Sequence, residues 1–312
     1  MPIYFQHSRG IGNKSEGSGY RPTALCPTLE LREHLSKVWF ITGASSGIGA
    51  GIAKAALNAG DRVVATARNL DKARNALRDV ADENLAIIQL DVTDESQAKA
   101  AIQRAVNQFG RIDVTVNNAG YAVMGNFEEL SSADIEQQFA TNFWGVAYVM
   151  RSVLPVMRTQ RSGHIFNISS VAGVVGFKHC GAYGAAKFAL EGLSLAIANE
   201  VEQFGIKITV VEPGFFRTDL LAPQSVRWGK NTIEDYAAEG STEAMWSPYH
   251  GKQQGDPLKL GEALVTIAGM ENPPKLFAAG SDALAAITPA IEERLNVTRS
   301  YEQLSKSTDG SF

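Results

Sequence analysis

Apolar and polar positions along the chain follow two rhythms that alternate from Lys37 onward. Short apolar runs bounded by turn residues occupy 38–42 (VWFIT), 62–67 (RVVATA), 85–90 (LAIIQL), 112–116, 164–168, 206–211 and 275–279. Between them lie stretches in which apolar residues recur at helical spacing, at 47–59, 71–80, 95–109, 133–160, 183–203, 258–270 and 282–295. The first set predicts strands and the second helices. The strand runs do not alternate apolar with polar, so both of their faces are expected to be covered. Strand–helix alternation of this kind predicts an α/β fold, doubly wound, with a mostly parallel seven-stranded sheet and helices on both faces.

Two segments break the rhythm. Residues 1–35, with the Gly/Ser-rich stretch 10–19 (GIGNKSEGSG), show no periodic apolar face and predict a flexible leader. After Pro213 the period is lost for about forty residues, long for a connection, and 214–256 predicts a lid or substrate loop. The polar tail from Thr298 predicts a final helix with a frayed end. No linker interrupts the rest, so 36–312 is expected to form one catalytic domain.

Composition narrows the function classes. The chain has 312 residues, 45% hydrophobic and 20% charged, enough to bury a full core. A net charge of −4 offers no basic field for a nucleic-acid backbone. Cys26 and Cys180 fit no metal spacing and are expected to be free thiols. His7, His34, His164, His179 and His250 are scattered without ligand spacing, so no metal site is expected and they read as surface or packing residues. No stretch approaches the roughly 20 apolar residues that span a bilayer, and no secretory signal pattern opens the chain. A cytoplasmic protein without membrane association is expected.

Candidate chemistry begins at Thr42-Gly43-Ala44-Ser45-Ser46-Gly47-Ile48-Gly49, between the first strand and an Ala-rich helix. Glycines there let the backbone turn sharply and approach a pyrophosphate. The helix start behind them offers free N–H groups and a positive dipole end. A tight turn without a ligand is the plainer alternative, but its place in the first strand–helix unit favours dinucleotide binding. Further motifs follow in order: Asn117-Asn118-Ala119-Gly120, Asn142, Ser170, Tyr183-x-x-x-Lys187 and Pro213-Gly214. Together these resemble the short-chain dehydrogenase/reductase family, whose glycine motif is TGxxxGxG, and the resemblance runs from about Lys37 to the C-terminus. It implies a Rossmann-type domain that moves a hydride between a nicotinamide cofactor and a carbonyl or secondary alcohol carbon.

The end of the second strand bears on which cofactor. An acid there would bind the adenosine ribose of NAD, but the chain reads Ala67-Arg68-Asn69. A guanidinium binds two phosphate oxygens at once, so Arg68 favours NADP(H), with NAD(H) possible; a solvated loop charge is the plain alternative, and Asp71 nearby complicates the reading. The resemblance implies cofactor contacts from Gly43, Ser45, Ser46, Gly47, Ile48, Gly49, Asp91, Val92, Asn118, Ala119, Gly120, Pro213, Gly214 and Thr218, as well as from Tyr183 and Lys187.

Tyr183 and Lys187, four apart at a predicted helix start, share one face. A tyrosine of ordinary pKa near 10 is a poor base at neutral pH. A nearby ammonium and a positive nicotinamide ring favour its phenolate. The pair alone is a common coincidence. Ser170 closes the run 164–170 thirteen positions earlier, where a hydroxyl could bind the substrate oxygen, although Ser169 stands beside it. Asn142, mildly unfavourable inside a helix, matches the family's fourth catalytic residue, which the resemblance gives a water-holding role in a proton relay through Lys187. The four expected catalytic residues are thus Asn142, Ser170, Tyr183 and Lys187.

Aromatic residues Phe215, Phe216, Trp228, Tyr236, Trp246 and Tyr249, with Met245, in the long loop fit either a lid over an apolar or ring-containing substrate or simple packing. His179 and Cys180 are candidate pocket residues. Rival readings are an acyl-thioester (3-oxoacyl) ketoreductase and a non-enzymatic dinucleotide-sensing regulator. A sugar-nucleotide epimerase fits less well, because it would carry TGxxGxxG and a larger C-terminal domain. The resemblance also implies a homodimer or homotetramer built through the helices at 133–160 and 183–203.

Overall fold

A computed structural model describes residues 36–222, 225–238 and 240–310. The expected leader at 1–35, with Cys26, His7 and His34, lies outside the described residues. Seven strands, β1 (Val38–Ile41), β2 (Arg62–Ala67), β3 (Leu85–Gln89), β4 (Val114–Asn117), β6 (Gly163–Ile168), β7 (Ile206–Pro213) and β9 (Leu276–Ala279), form one sheet in the order β3-β2-β1-β4-β6-β7-β9. Every neighbouring pair in it is parallel. Two further strands, β5 (Val123–Met124) and β8 (Arg227–Trp228), pair in parallel as a separate ribbon.

Helices cover both faces, as the unalternating strand runs require. On one face α3 (Glu95–Phe109), α5 (Gly145–Gln160) and α6 (Gly181–Val201) bury Ile102, Val149, Met150 and Leu190 against Phe40, Val64 and Ile165. On the other, α1 (Gly47–Asn58), α2 (Leu70–Leu77) and α9 (Pro257–Ala268) bury Ile52, Leu77 and Leu264 against Trp39, Ile41 and Phe166. Consecutive residues of β1 thus serve opposite cores. Each such large side chain contributes roughly 1.5–3 kcal/mol by leaving water. The Asp61 carboxylate anchors the sheet's entry, accepting from the Lys37 backbone N–H and the Trp39 indole N–H, both at 2.8 Å.

Several elements differ from the sequence expectation. The single helix expected at 133–160 is α4 (Ser132–Phe139), a π-turn (Ala140–Trp144) and α5. The widened turn inserts one residue without breaking the run, which is why apolar spacing alone reads as one helix. The segment between β7 and α9 is not structureless: it holds β8, α7 (Glu234–Ala237) and α8 (Thr242–Trp246). The C-terminal helix α10 (Ser281–Ser300) runs past the expected end and is followed by α11 (Glu302–Lys306). Cys180 is a free, buried thiol. His164 is a packing residue: it stacks on Phe166 at 4.1 Å, meets Thr209 Oγ1 at 2.8 Å, and burial pushes its pKa down to about 3. No helix among the described residues is long and apolar enough to cross a membrane, and no metal-competent cluster occurs among them.

The crossing of α1 and α9 fixes the helix whose N-terminus faces the sheet's carboxyl edge. A methyl group on Gly51 would overlap the Pro257 carbonyl, and one on Gly261 would overlap Ala55 and the Gly51 carbonyl. The two backbones approach this closely because both positions lack a side chain. Gly261→Leu is therefore expected to lower stability by about 1–3 kcal/mol, read as a lower denaturant midpoint. An unchanged midpoint would show that the helices can part without cost.

Candidate active site

The sheet order reverses between β1 and β4, and open parallel sheets form their binding crevice at the carboxyl ends of strands beside such a point. A cleft of about 500 Å³ opens there. Its floor is the loop from β1 to α1. Gly43 and Gly47 take φ of +67° and +53°, in the left-handed region. A methyl on Gly43 would strike the Ala119 backbone, and one on Gly47 would crowd the Thr218 side chain. Ser46 N-caps α1 without a side-chain capping bond, and the first turn carries no acid. The helix start therefore presents N–H groups and its positive end to the cleft, a fit for a pyrophosphate.

Most of the expected cofactor residues meet on this wall: Gly43, Ser45, Ser46, Gly47, Ile48, Arg68, Asp91, Val92, Asn118, Ala119, Gly120, Pro213, Gly214 and Thr218. Gly49 does not line the cleft. It packs behind it, where any side chain would overlap the Asn118 amide and the Gly43 carbonyl. The Asn118 amide donates to the Thr42 and Gly43 carbonyls at 2.9 and 3.2 Å, tying β4 to the glycine loop. Asp91 Oδ1 accepts from the Thr93 backbone and hydroxyl, so part of its work is closing its own turn. Thr218 caps the 3-10 turn Asp219–Leu221 by accepting from the Leu220 N–H.

Where β2 ends, Ala67 and Arg68 line the cleft together with Asn69 and Lys72, two residues that sequence reasoning missed. Asn69 caps α2 by accepting from the Lys72 N–H at 2.9 Å, which sets the lysine one turn from Arg68. Asp71 is turned away and pairs with Arg74 at 2.8 Å. Among the described residues no carboxylate is paired with Arg68.

The chemistry-bearing side chains gather at the other end, beside the tips of β4 and β6. Asn142 sits buried in the π-turn, its amide donating to the Tyr121 carbonyl at 3.0 Å and accepting from the Tyr121 N–H at 3.3 Å. Ser170 follows the end of β6, accepts from the Ala172 N–H at 3.1 Å, and lines the cleft beside Tyr183. Ser169 points elsewhere, donating to the Glu191 carboxylate at 2.7 Å. Tyr183 keeps some surface open to the cleft but is otherwise crowded by protein. Burial pushes its pKa up to about 12, the nearby Ser170 hydroxyl acting in the other direction. Lys187 is buried, donates to the Ile168 carbonyl at 2.7 Å and lies 5.7 Å from the Tyr183 ring centroid. Burial lowers its pKa to about 8, with Glu191 pulling the other way.

The far wall is apolar. Ala122, Met124, Phe177, Cys180, Leu220, Leu221 and Trp246 line it, with Arg227, Ser225 and Gln253 as its polar members. Phe215, Trp246 and Tyr249 stack around it at 6.1–6.2 Å. His179 is not on the wall. Its Nδ1 accepts from the Trp246 indole at 3.4 Å, so it braces the wall from behind. Trp228, Tyr236, Met245 and Tyr249 likewise stay off the lining, whereas Phe215, Phe216 and Trp246 reach it.

The family model for short chain dehydrogenases matches residues 37–227. The chain belongs to the short-chain dehydrogenase/reductase family. It is 40% identical over 258 residues to oxidoreductase BOA17 of Botryotinia fuckeliana, covering 83% of this chain and 94% of that protein. A solved short-chain dehydrogenase from Streptomyces avermitilis superposes with a TM-score of 0.80 at 36% identity, over 88% of this chain and all (100%) of that one. A structure of ElxO with NADP bound superposes with a TM-score of 0.67 at 30% identity, over 80% of this chain and 100% of that one. This short-chain dehydrogenase/reductase is accordingly an NAD(P)-dependent oxidoreductase, and the glycine cradle and open helix start described above fit that cofactor.

Proposed function

We propose that the enzyme interconverts a carbonyl and a secondary alcohol using NADP(H), on an apolar or ring-containing substrate. The observation that carries the reading is the convergence of Ser170, Tyr183 and Lys187, the lysine one turn behind the tyrosine, in the same cleft that holds the glycine loop. The bound cofactor supplies or accepts the hydride at nicotinamide C4.

Every other part of the chemistry falls to the chain. Tyr183 transfers the proton to or from the substrate oxygen, and Ser170 donates a hydrogen bond that positions this oxygen. With burial holding the Tyr183 hydroxyl protonated, the free enzyme carries a proton at the place where a carbonyl oxygen would take it up. Lys187 places a positive charge beside the phenol and holds the nicotinamide ribose, while Asn142 orders the route by which the proton is replaced. Arg68 and Lys72 take the 2′-phosphate, and Thr218 takes the carboxamide. Segment 214–256 closes the apolar wall over the substrate, its aromatic stack excluding water. NADP in the ElxO structure supports the choice of cofactor. Exposed Trp144, Phe188 and Leu195 on the π-turn and α6 support a homodimer or homotetramer through these elements; light scattering at micromolar concentration should find one of the two, and a monomer alone would end that reading.

Fluorescence titration should find NADPH bound at least about tenfold more tightly than NADH, a difference of about 1.4 kcal/mol, and the advantage should collapse in Arg68→Ala. Equal affinities in the wild type would remove the phosphate-binding role. In a screen of aliphatic and aryl ketones with NADPH, Tyr183→Phe should lose about 10²–10⁴ of the turnover while still binding NADPH. A variant that turned over normally would take the proton transfer away from Tyr183.

A further inference from the structure

The apolar wall contains a buried polar atom without a partner. Gln253 lines the cleft and is 5% exposed, and its Oε1 is buried with no hydrogen-bond partner among the described residues. A buried amide of this kind is uncommon unless a water or a ligand completes it. The backbone around it, by contrast, is held at three points. Gly255 pairs in parallel with Phe216, donating to the Phe215 carbonyl at 3.0 Å and accepting from the Arg217 N–H at 2.8 Å. The Gln253 carbonyl accepts from Arg217 Nε at 3.3 Å. Residues 253–255 are thereby fixed against the start of the segment after β7, so closely that a methyl on Gly255 would overlap the Phe216 ring. Two neighbours turn the other way: Arg217 and Asp256 border a separate groove beside Ser45, Ser46 and Gly47, which Gln253 does not border. Gln253 therefore belongs to the apolar side of the cleft and not to the glycine loop.

We propose that Gln253 is a specificity-determining residue whose amide hydrogen-bonds a substrate hydroxyl other than the group that reacts. The proposal rests on the carbonyl–alcohol reading above and narrows its substrate class to an apolar or ring-containing ketone carrying a hydroxyl away from the reacting carbon. The oxygen and the NH2 of a glutamine amide exchange by a half-turn of its last bond, so the unpartnered position can accept or donate. A hydroxyl does both and meets the amide in either setting. Burial makes a neutral group the better match, since a carboxylate or ammonium would give up its hydration there for a single hydrogen bond. A water at the same place needs two to four polar partners. The paired segment offers it little, because the Gly255 N–H and carbonyl and the Phe215 carbonyl are already bonded within the pairing. With its backbone held, the side chain loses little freedom when substrate arrives. An analogue without the hydroxyl fills the cleft yet leaves the amide unpaired, and a site of this kind discriminates by that penalty.

The test is NADPH-dependent reduction of matched ketones: cyclohexanone beside its hydroxycyclohexanone isomers, and acetophenone beside its ring-hydroxylated isomers. In wild type at least one hydroxylated ketone should exceed its plain partner by about tenfold or more in kcat/KM. In Gln253→Leu that ratio should fall by about the same factor, a comparison that cancels any difference in intrinsic reactivity between the two ketones. Should Gln253→Leu fail to fold, Gln253→Met keeps the length of the side chain and the same ratio decides. Wild-type ratios near unity throughout the panel, or ratios that the variants leave unchanged, would overturn the proposal. NADPH titration of the same samples adds a second check: a variant that loses NADPH affinity while its ratios hold assigns the amide to the cofactor and also overturns it. Wild type that reduces plain ketones without preference defeats the role of Gln253 alone. Wild type that reduces no ketone defeats the carbonyl–alcohol reading on which that role rests.

Discussion

A lysine ammonium donated to a backbone carbonyl at the end of a buried strand is the contact on which the rest of this site depends. Lys187 reaches the Ile168 carbonyl at 2.7 Å from inside the protein. A buried cation is costly unless it is hydrogen-bonded and faced by opposite charge. The contact joins the tip of β6 to the first turns of α6, so it also sets where Tyr183 and Ser170 meet. Moving α6 by one residue would separate all three.

The doubly wound sheet makes this contact possible by placing unrelated segments at one edge. The carboxyl ends of β1, β4, β6 and β7 bring in the glycine loop, Asn118, Ser170 and Gly214 respectively. Asn118 ties β4 to the glycine loop through two carbonyls, and Asn142 holds Tyr121 from the π-turn. The wall on the glycine-loop side thus joins the tips of several strands, with Arg68 and Lys72 at one end. The wall beyond Tyr183 is apolar and comes largely from the segment after β7, where members of one fold can differ without disturbing the sheet.

How much of this the sequence carries depends on the kind of signal. Strands buried on both faces and helices of 3.6 period leave strong patterns, so the order of the seven-stranded sheet's elements was legible, as was the Tyr183–Lys187 spacing within α6. Two-residue strands have no period, and the β5–β8 pairing was invisible for that reason. Glu212 misled more directly: an acid in an apolar run reads as the strand's end, yet β7 continues through it to Pro213. Spacing chose Ser170 over Ser169, and in the structure the two neighbours turn to different partners, as adjacent residues of extended chain do. Lys72 entered the cleft only through the Asn69 cap, and Gly49 left it because its lack of a side chain serves packing rather than contact.

The central claim is that burial keeps the proton on Tyr183 in the free enzyme, with the Lys187 charge held beside it. Ultraviolet difference titration of tyrosinate, wild type minus Tyr183→Phe and without nucleotide, measures this directly. The account predicts no Tyr183 ionisation through neutral and mildly alkaline pH, with the signal arising only toward about 12. A tyrosinate that appears near neutral pH in wild type and is missing from Tyr183→Phe would contradict it.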